Sequence, residues 1–222
     1  DSAEAILRMS YSQTPRHFNS AVASGTATTM FASQLFASPV RYDDEWNPQP
    51  YLATSWAFSD DGKQLTLQLR DDALFHDGEP ITSEDVAYSL EAVKTYHPYA
   101  PLMEPLEKAE TPTPHEVVLH FTHPHPAALL ALSPAFAPVL PKHIYDDGTD
   151  LTTHPRNTKD VVGSGPFKLV EFKPGHRIVM ERFDDYFIKD RPRVAKVTAE
   201  VSGDATGRLI DIEQNSLDMI VY

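Results

Sequence analysis

Histidine has the widest chemical reach of the residue types in this sequence, and His115, His120, His123 and His125 fall close together. Neutral imidazole is a good ligand for zinc and nickel, so the cluster invites a metal-site reading. Yet Val117, Leu119 and Phe121 alternate as a half-buried strand, which turns His120 to solvent, and His123-Pro124-His125 reads as loop. The chain has no cysteine, and no carboxylate stands at a spacing that completes a tetrahedral set. No metal and no other cofactor is expected.

Paired acids recur at Asp43-Asp44, Asp60-Asp61, Asp71-Asp72, Asp146-Asp147 and Asp184-Asp185. A glycosidase needs two carboxylates facing each other across a sugar, but neighbours on a strand point to opposite faces, and most of these pairs read as turns. They are expected to be solvated turn acids. Ser164, between Gly163 and Gly165, is the one serine in a setting that suggests a nucleophile. A hydrolase elbow needs glycine two residues to each side of the serine and a helix after it. Here Pro166 follows and a strand begins, so Gly163-Ser164-Gly165 reads as a tight crossing of the chain. No catalytic residue is expected, and no phosphate-cradling glycine loop is present.

The balance of 19 Lys and Arg against 32 Asp and Glu leaves a formal charge of -13 over 222 residues. Phosphate backbones and anionic lipid surfaces would be repelled, so nucleic acid and membrane surfaces are poor partners. With 41% hydrophobic residues the chain can bury a core, and disorder is excluded as a whole-chain reading. The most apolar stretch, Ala127 to Leu140, is interrupted by Pro134 and Pro138, so nothing is read as spanning a bilayer. The first residues, Asp1-Ser2-Ala3-Glu4-Ala5, lack the basic and apolar parts of a signal peptide, and any export signal is expected to have been removed.

The elements that must position a site follow from periodicity. Ile6 to Tyr11 reads as a strand, and the small residues Ala21 to Thr26 as a loop leading into a helix over Thr28 to Phe36, stopped by Pro39. Asp61-Gly62 joins Trp56–Phe58 to Lys63–Arg70 as a hairpin, with Leu65, Leu67 and Leu69 on its buried face. Thr82 and Asp85 spell a capping box before Val86, Leu90 and Val93, an amphipathic helix ended by His97-Pro98. Pro124 to Pro141 reads as helix fragments and loops. A second hairpin runs from Phe167 to Phe172 and from Arg177 to Phe183 around Pro174-Gly175. Val194–Val201 reads as a strand, Asp204 caps a helix with Ala205, Leu209 and Ile212 on one face, and Leu217–Val221 is a last strand. An apolar strand at a terminus needs neighbours, so the polypeptide is expected to continue.

Three blocks in this order resemble the family 5 extracellular solute-binding proteins, the dipeptide, oligopeptide and nickel binding components of ABC importers. The first is Pro50-Tyr51-Leu52-Ala53-Thr54-Ser55-Trp56 with Asp60-Asp61-Gly62, running through Leu67–Arg70 into Phe75-His76-Asp77-Gly78-Glu79-Pro80-Ile81-Thr82-Ser83-Glu84-Asp85-Val86. The second is Val139-Leu140-Pro141-Lys142-His143-Ile144-Tyr145, and the third is Val162-Gly163-Ser164-Gly165-Pro166-Phe167-Lys168-Leu169, followed by Glu181-Arg182 and Asp184-Asp185-Tyr186-Phe187.

The resemblance implies an α/β, periplasmic-binding-protein-like first lobe: residues 1–37 and 163–222 as a core with a mixed sheet, residues 38–162 as an inserted α+β subdomain, and a second lobe expected after Tyr222. It implies an exported, periplasmic monomer, not an enzyme, that captures peptides and delivers them to an ABC permease. A nickel chelate, sugar or opine in the same fold, or a hydrolase with a His or carboxylate site, stand as alternatives. By the same resemblance Ser24, Gly25 and Thr26 fall where a backbone edge pairs with bound peptide, and Tyr99 where an aromatic packs on it. Ser24 stands where many relatives carry an acid, so no ion pair to a peptide amino terminus is carried over. Independently, Gly25 lets another backbone approach, and main-chain pairing reads a peptide without reading its side chains. The plainer readings are that Ser24-Gly25-Thr26 simply starts the next helix, and that Tyr99 serves packing alone.

Overall fold

The computed structural model describes residues 5–202 and 204–221. Asp1–Glu4, where no export signal is read, and Tyr222, after which a second lobe is expected, lie outside them. In chain order the elements are β1 (Ile6–Tyr11), α1 (Thr26–Leu35), β2 (Val40–Tyr42), β3 (Pro48–Pro50), β4 (Ala53–Phe58), β5 (Gln64–Leu69) and α2 (Ser83–Tyr96). There follow β6 (Leu106–Thr113), β7 (Glu116–Phe121), α3 (Ala128–Ala131), α4 (Lys142–Tyr145), β8 (Phe167–Lys173), β9 (Arg177–Arg182), β10 (Lys196–Val201), α5 (Ala205–Glu213) and β11 (Met219–Val221).

A five-stranded sheet has the order β11-β1-β10-β9-β8. Its β1 pairs in parallel with both β10 and β11, while β8, β9 and β10 form an antiparallel meander, so the sheet is mixed. The chain reaches β10 from β1 only after most of its length. A four-stranded antiparallel sheet, β4-β5-β7-β6, is built from the intervening stretch, and β2 and β3 make a separate short hairpin. The alternation read in β5 and β7 holds: Leu65, Leu67, Val117 and Leu119 are buried, together with Phe121. The short β2–β3 hairpin and the largely exposed β6, whose residues carry little periodicity, were not read from the sequence.

Helix α2 forms where the capping signal stood. The Asp85 carboxylate accepts from the Thr82 amide at 2.9 Å, and its other oxygen accepts from the Lys142 amide at 3.0 Å. One buried acid thus satisfies an orphan donor at the helix start and holds the strip leading into α4. Ser89 continues the seam, donating to the Asp85 carbonyl at 2.6 Å and accepting from the Leu140 amide at 2.8 Å. Val86, Leu90 and Val93 are buried beneath this seam.

Helix α1 begins at Thr26, earlier than expected, and ends at Leu35, where the crossing Gly163-Ser164-Gly165 meets it. The Ser164 and Gly165 amides both donate to the Leu35 carbonyl, at 3.0 and 2.8 Å. A Cβ on Gly163 would lie 1.9 Å from that oxygen, and one on Gly165 would lie 2.4 Å from the Gln34 oxygen. Only glycine permits so close an approach.

Helix α5 is capped by Asp204, which accepts from the Thr206 amide at 3.1 Å. The face carrying Ala205, Leu209 and Ile212 is not its buried one: Leu209 is 56% exposed, and the residue turned inward is Arg208. A 3.6-residue repeat says which side chains share a face, but not whether anything covers it.

Candidate functional site

The N-terminus of α1 carries the loop that the sequence singled out. Ser24, Gly25 and Thr26 are exposed, and Gly25 is the N-cap residue with φ 130° and ψ 142°. Its carbonyl accepts from the Thr29 amide at 2.9 Å, which closes the first helical turn. No side chain caps the helix, and among the described residues the amides of Ser24, Gly25 and Thr26 donate to no acceptor. The space where a Gly25 Cβ would stand is open, with no atom within 4 Å. The loop therefore does start the helix, as the plainer reading had it, and it also leaves a main-chain edge free to meet another backbone.

The opposite wall comes from the end of α2. The His97 amide closes the helix on the Val93 carbonyl at 3.0 Å, and Pro98 forbids a further turn. The His97 ring folds back, and its Nδ1 accepts from the Tyr99 amide at 3.0 Å. That bond assigns Nδ1 as the acceptor and leaves the proton on Nε2. Burial lowers the His97 pKa, so the ring is neutral at neutral pH.

Tyr99 is 54% exposed, its ring 5.6 Å from that of His97 and edge-on to Phe136 at 5.9 Å. A core residue would be covered; Tyr99 is instead propped from below, with one face open. Phe136 also braces His97 edge-on at 6.0 Å.

The structure brings all the proposed residues together: Ser24, Gly25, Thr26 and Tyr99 line one open groove of about 510 Å³, with His97 and Phe136 between them. No Asp, Glu, Lys or Arg lines it. From this side, then, the groove offers main-chain amides, hydroxyls and aromatic faces, and nothing that would pair with a charged ligand terminus. His97 and Phe136 were missed as site residues. In the sequence His97 signals only a helix stop, although its spacing to Tyr99 is a usable signal, and Phe136 lies in an aperiodic proline-rich stretch.

The far end of α1 is fixed by the glycine crossing, and His76 fixes the crossing. His76 Nδ1 accepts from the Gly163 amide at 3.0 Å, and its Nε2 lies 3.0 Å from the Gly165 carbonyl, to which it donates. Desolvation lowers the His76 pKa to about 4. Ser164 is wholly buried, and its Oγ accepts from the Ala37 amide at 2.9 Å. A buried hydroxyl used to hold backbone is no exposed nucleophile.

The clustered histidines disperse to different partners. His120 Nε2 lies 3.1 Å from Glu110 and its Nδ1 3.3 Å from Gln64, so it is half-buried between side chains and not turned freely to solvent as expected. Its strand lies inside the sheet, where neighbours on either side cover the outer face as well. His125 Nε2 lies 2.9 Å from the Leu102 carbonyl, and His123 stands 3.8 Å from Glu104.

A mixed sheet, a glycine crossing and a groove of exposed main chain accord with the motif blocks, and comparison with known families decides the matter. The model of the bacterial extracellular solute-binding proteins, family 5 Middle, matches residues 47–222. The chain belongs to this family. Among curated family 5 relatives it is 30% identical over 209 residues to the oligopeptide-binding protein AppA of Bacillus subtilis, covering 92% of this chain and 38% of AppA. It is likewise 30% identical over 201 residues to the nickel-binding periplasmic protein of Escherichia coli K12, covering 88% of this chain and 37% of that protein.

The solved structure of B. subtilis AppA in complex with a nonapeptide superposes with a TM-score of 0.89 at 28% identity, covering 98% of this chain and 44% of that one. That of NikZ from Campylobacter jejuni in complex with Ni(L-His) gives 0.85 at 25% identity, covering 96% and 42%. The α/β, periplasmic-binding-protein fold read from the motifs is thus the observed one. The chain spans about two-fifths of the length of the family 5 relatives it matches.

Proposed function

We propose that this chain is the first lobe of the exported, periplasmic substrate-binding component of an ABC importer, and that it holds peptides for delivery to the permease. In this reading residues 1–37 and 163–222 are the lobe's core, residues 38–162 are its inserted subdomain, and the protein works as a monomer without catalysis. The observation that carries it is the convergence of the unpaired amides of Ser24, Gly25 and Thr26 with the propped, open ring of Tyr99 on one uncharged groove. Free amides on one wall and an aromatic platform on the other suit an extended backbone of any sequence. The groove holds no carboxylate, and its one histidine, His97, has its Nδ1 taken by the Tyr99 amide, which speaks against the alternative of a hydrolase with a His or carboxylate site. A groove with one neutral histidine and no carboxylate supplies few donors of its own to a metal chelate, which favours peptide as the ligand class.

The test is a titration of the isotope-labelled protein with trialanine at millimolar concentration, followed by amide and aromatic NMR shifts. Saturable shifts at Ser24–Thr26 and at the Tyr99 ring, with the peptide recovered intact, are expected. Shifts confined to other surfaces, or hydrolysis of the peptide, would refute the reading.

A further inference from the structure

Trp46 is 73% exposed, more than any other large apolar side chain among the described residues. It sits at the tip of the β2–β3 hairpin in the left-handed region, with φ 63°. The Trp46 amide donates to the Asp43 carbonyl at 3.0 Å, and the Asp43 amide to the Asn47 carbonyl at 3.1 Å. This is a tight turn followed by one left-handed residue, the arrangement in which glycine serves best. A bulky side chain there is strained, and it gains little burial in return: its ring meets that of the half-buried Tyr42 at 6.2 Å. The fold of this hairpin gives no reason for tryptophan.

The turn is nonetheless held rigidly. Asp43 accepts from the amides of Glu45 and Asn47 at 3.0 and 2.8 Å, and from the Gln49 side chain at 2.8 Å. The flanking Asp44 and Glu45 are exposed. The hairpin's one cation, Arg41, is engaged over the Tyr51 ring at 5.8 Å. The result is an indole on a stiff stalk with carboxylates beside it. Strain at an exposed, rigidly held position is the mark of a residue kept for contact, and tryptophan is the side chain most often found at the energetic centre of an interface.

We propose that Trp46 is a docking anchor that inserts into an apolar socket, rimmed by basic side chains, on a partner protein. The carboxylates of Asp44 and Glu45 select the basic rim and disfavour an anionic lipid surface. Under the import reading above, on which this inference rests, the partner is the permease, and the hairpin lies apart from the ligand groove, none of whose lining residues it supplies.

The test compares full-length wild type, Trp46→Gly, and Asp44→Asn with Glu45→Gln, for binding to permease in nanodiscs and to empty nanodiscs of the same lipid. Trp46→Gly should fold with unchanged or raised Tm, keep wild-type ligand affinity, and bind permease about thirtyfold more weakly or worse. The double charge variant should associate more slowly and lose salt sensitivity. Wild-type permease binding by Trp46→Gly, or an unaltered salt response of the charge variant, overturns the inference alone. A wild-type protein that does not engage permease at all overturns the import reading with it. Trp46-dependent binding to empty nanodiscs, or self-association that Trp46→Gly abolishes, assigns the tip to lipid or to a second copy and also overturns it.

Discussion

His76 and Gly165, far apart in sequence, are joined by a 3.0 Å hydrogen bond from the imidazole Nε2 to the glycine carbonyl, while the Nδ1 of the same ring accepts from Gly163. One neutral ring thereby staples the strip after β5 to the crossing that seats the end of α1. The same helix bears the groove at its other end, so this staple stands behind the placement of Ser24, Gly25 and Thr26.

Protonation of His76 removes the acceptor for the Gly163 amide, and the nearby Lys168 adds repulsion while Asp77 offsets part of it. The folded pKa of about 4 lies below the ordinary value of 6.5, so the unfolded chain binds more protons between those limits. Stability therefore rises with pH in this window, is fully present above about 6.5, and is lost as pH falls towards 4. As much as about 3 kcal/mol rides on it. Denaturant unfolding from pH 7 to 4 should give a steeper decline for wild type than for His76→Gln; equal slopes would remove the staple from the account.

Gly163→Ala and Gly165→Ala should each destabilise by about 3 kcal/mol or more, since the added carbon meets backbone that cannot step aside. Thermal unfolding measures this. A loss under about 1 kcal/mol would mean that the crossing relaxes at little cost.

Asp85→Ala strips the acceptor from both the Thr82 and Lys142 amides and should cost about 2 kcal/mol. Thr82→Ala leaves the Lys142 bond in place and should cost less. Urea midpoints in the reverse order would mean that the seam to α4 contributes little.

At the groove the two walls should respond differently. Gly25→Ala puts a side chain at φ 130° in open space, so it should destabilise by about 1 kcal/mol through backbone strain and weaken peptide binding by setting a methyl group where the other backbone has to approach. Tyr99→Ala should leave Tm nearly unchanged, because the ring is more than half exposed, and weaken binding about tenfold, with Tyr99→Phe close to wild type. Calorimetric titration with a tripeptide reads both, and a Tyr99→Ala variant that unfolds early would return the residue to a packing role.

Local rules carried much of the way. The alternation of β5 and β7, the Asp-Gly turn, the Asp85 box and the Asp204 cap depend on neighbours within a few residues, and each formed as its residues dictate. The motif blocks likewise pointed to the family, because they record backbone requirements such as the glycines of the crossing. Tertiary structure alone decided which of those segments meet. Ser24 and Tyr99 share a groove only because α1 and the end of α2 converge on it, and His97 joins them because its ring is folded inward by a bond to the Tyr99 amide. His76 became a staple, Ser164 a buried acceptor, and Leu209 an exposed residue on a helix whose inward side is Arg208. The reason is physical: periodicity and capping are set by energies local in sequence, whereas burial and pairing depend on what distant chain covers, and that is settled only when the whole core closes.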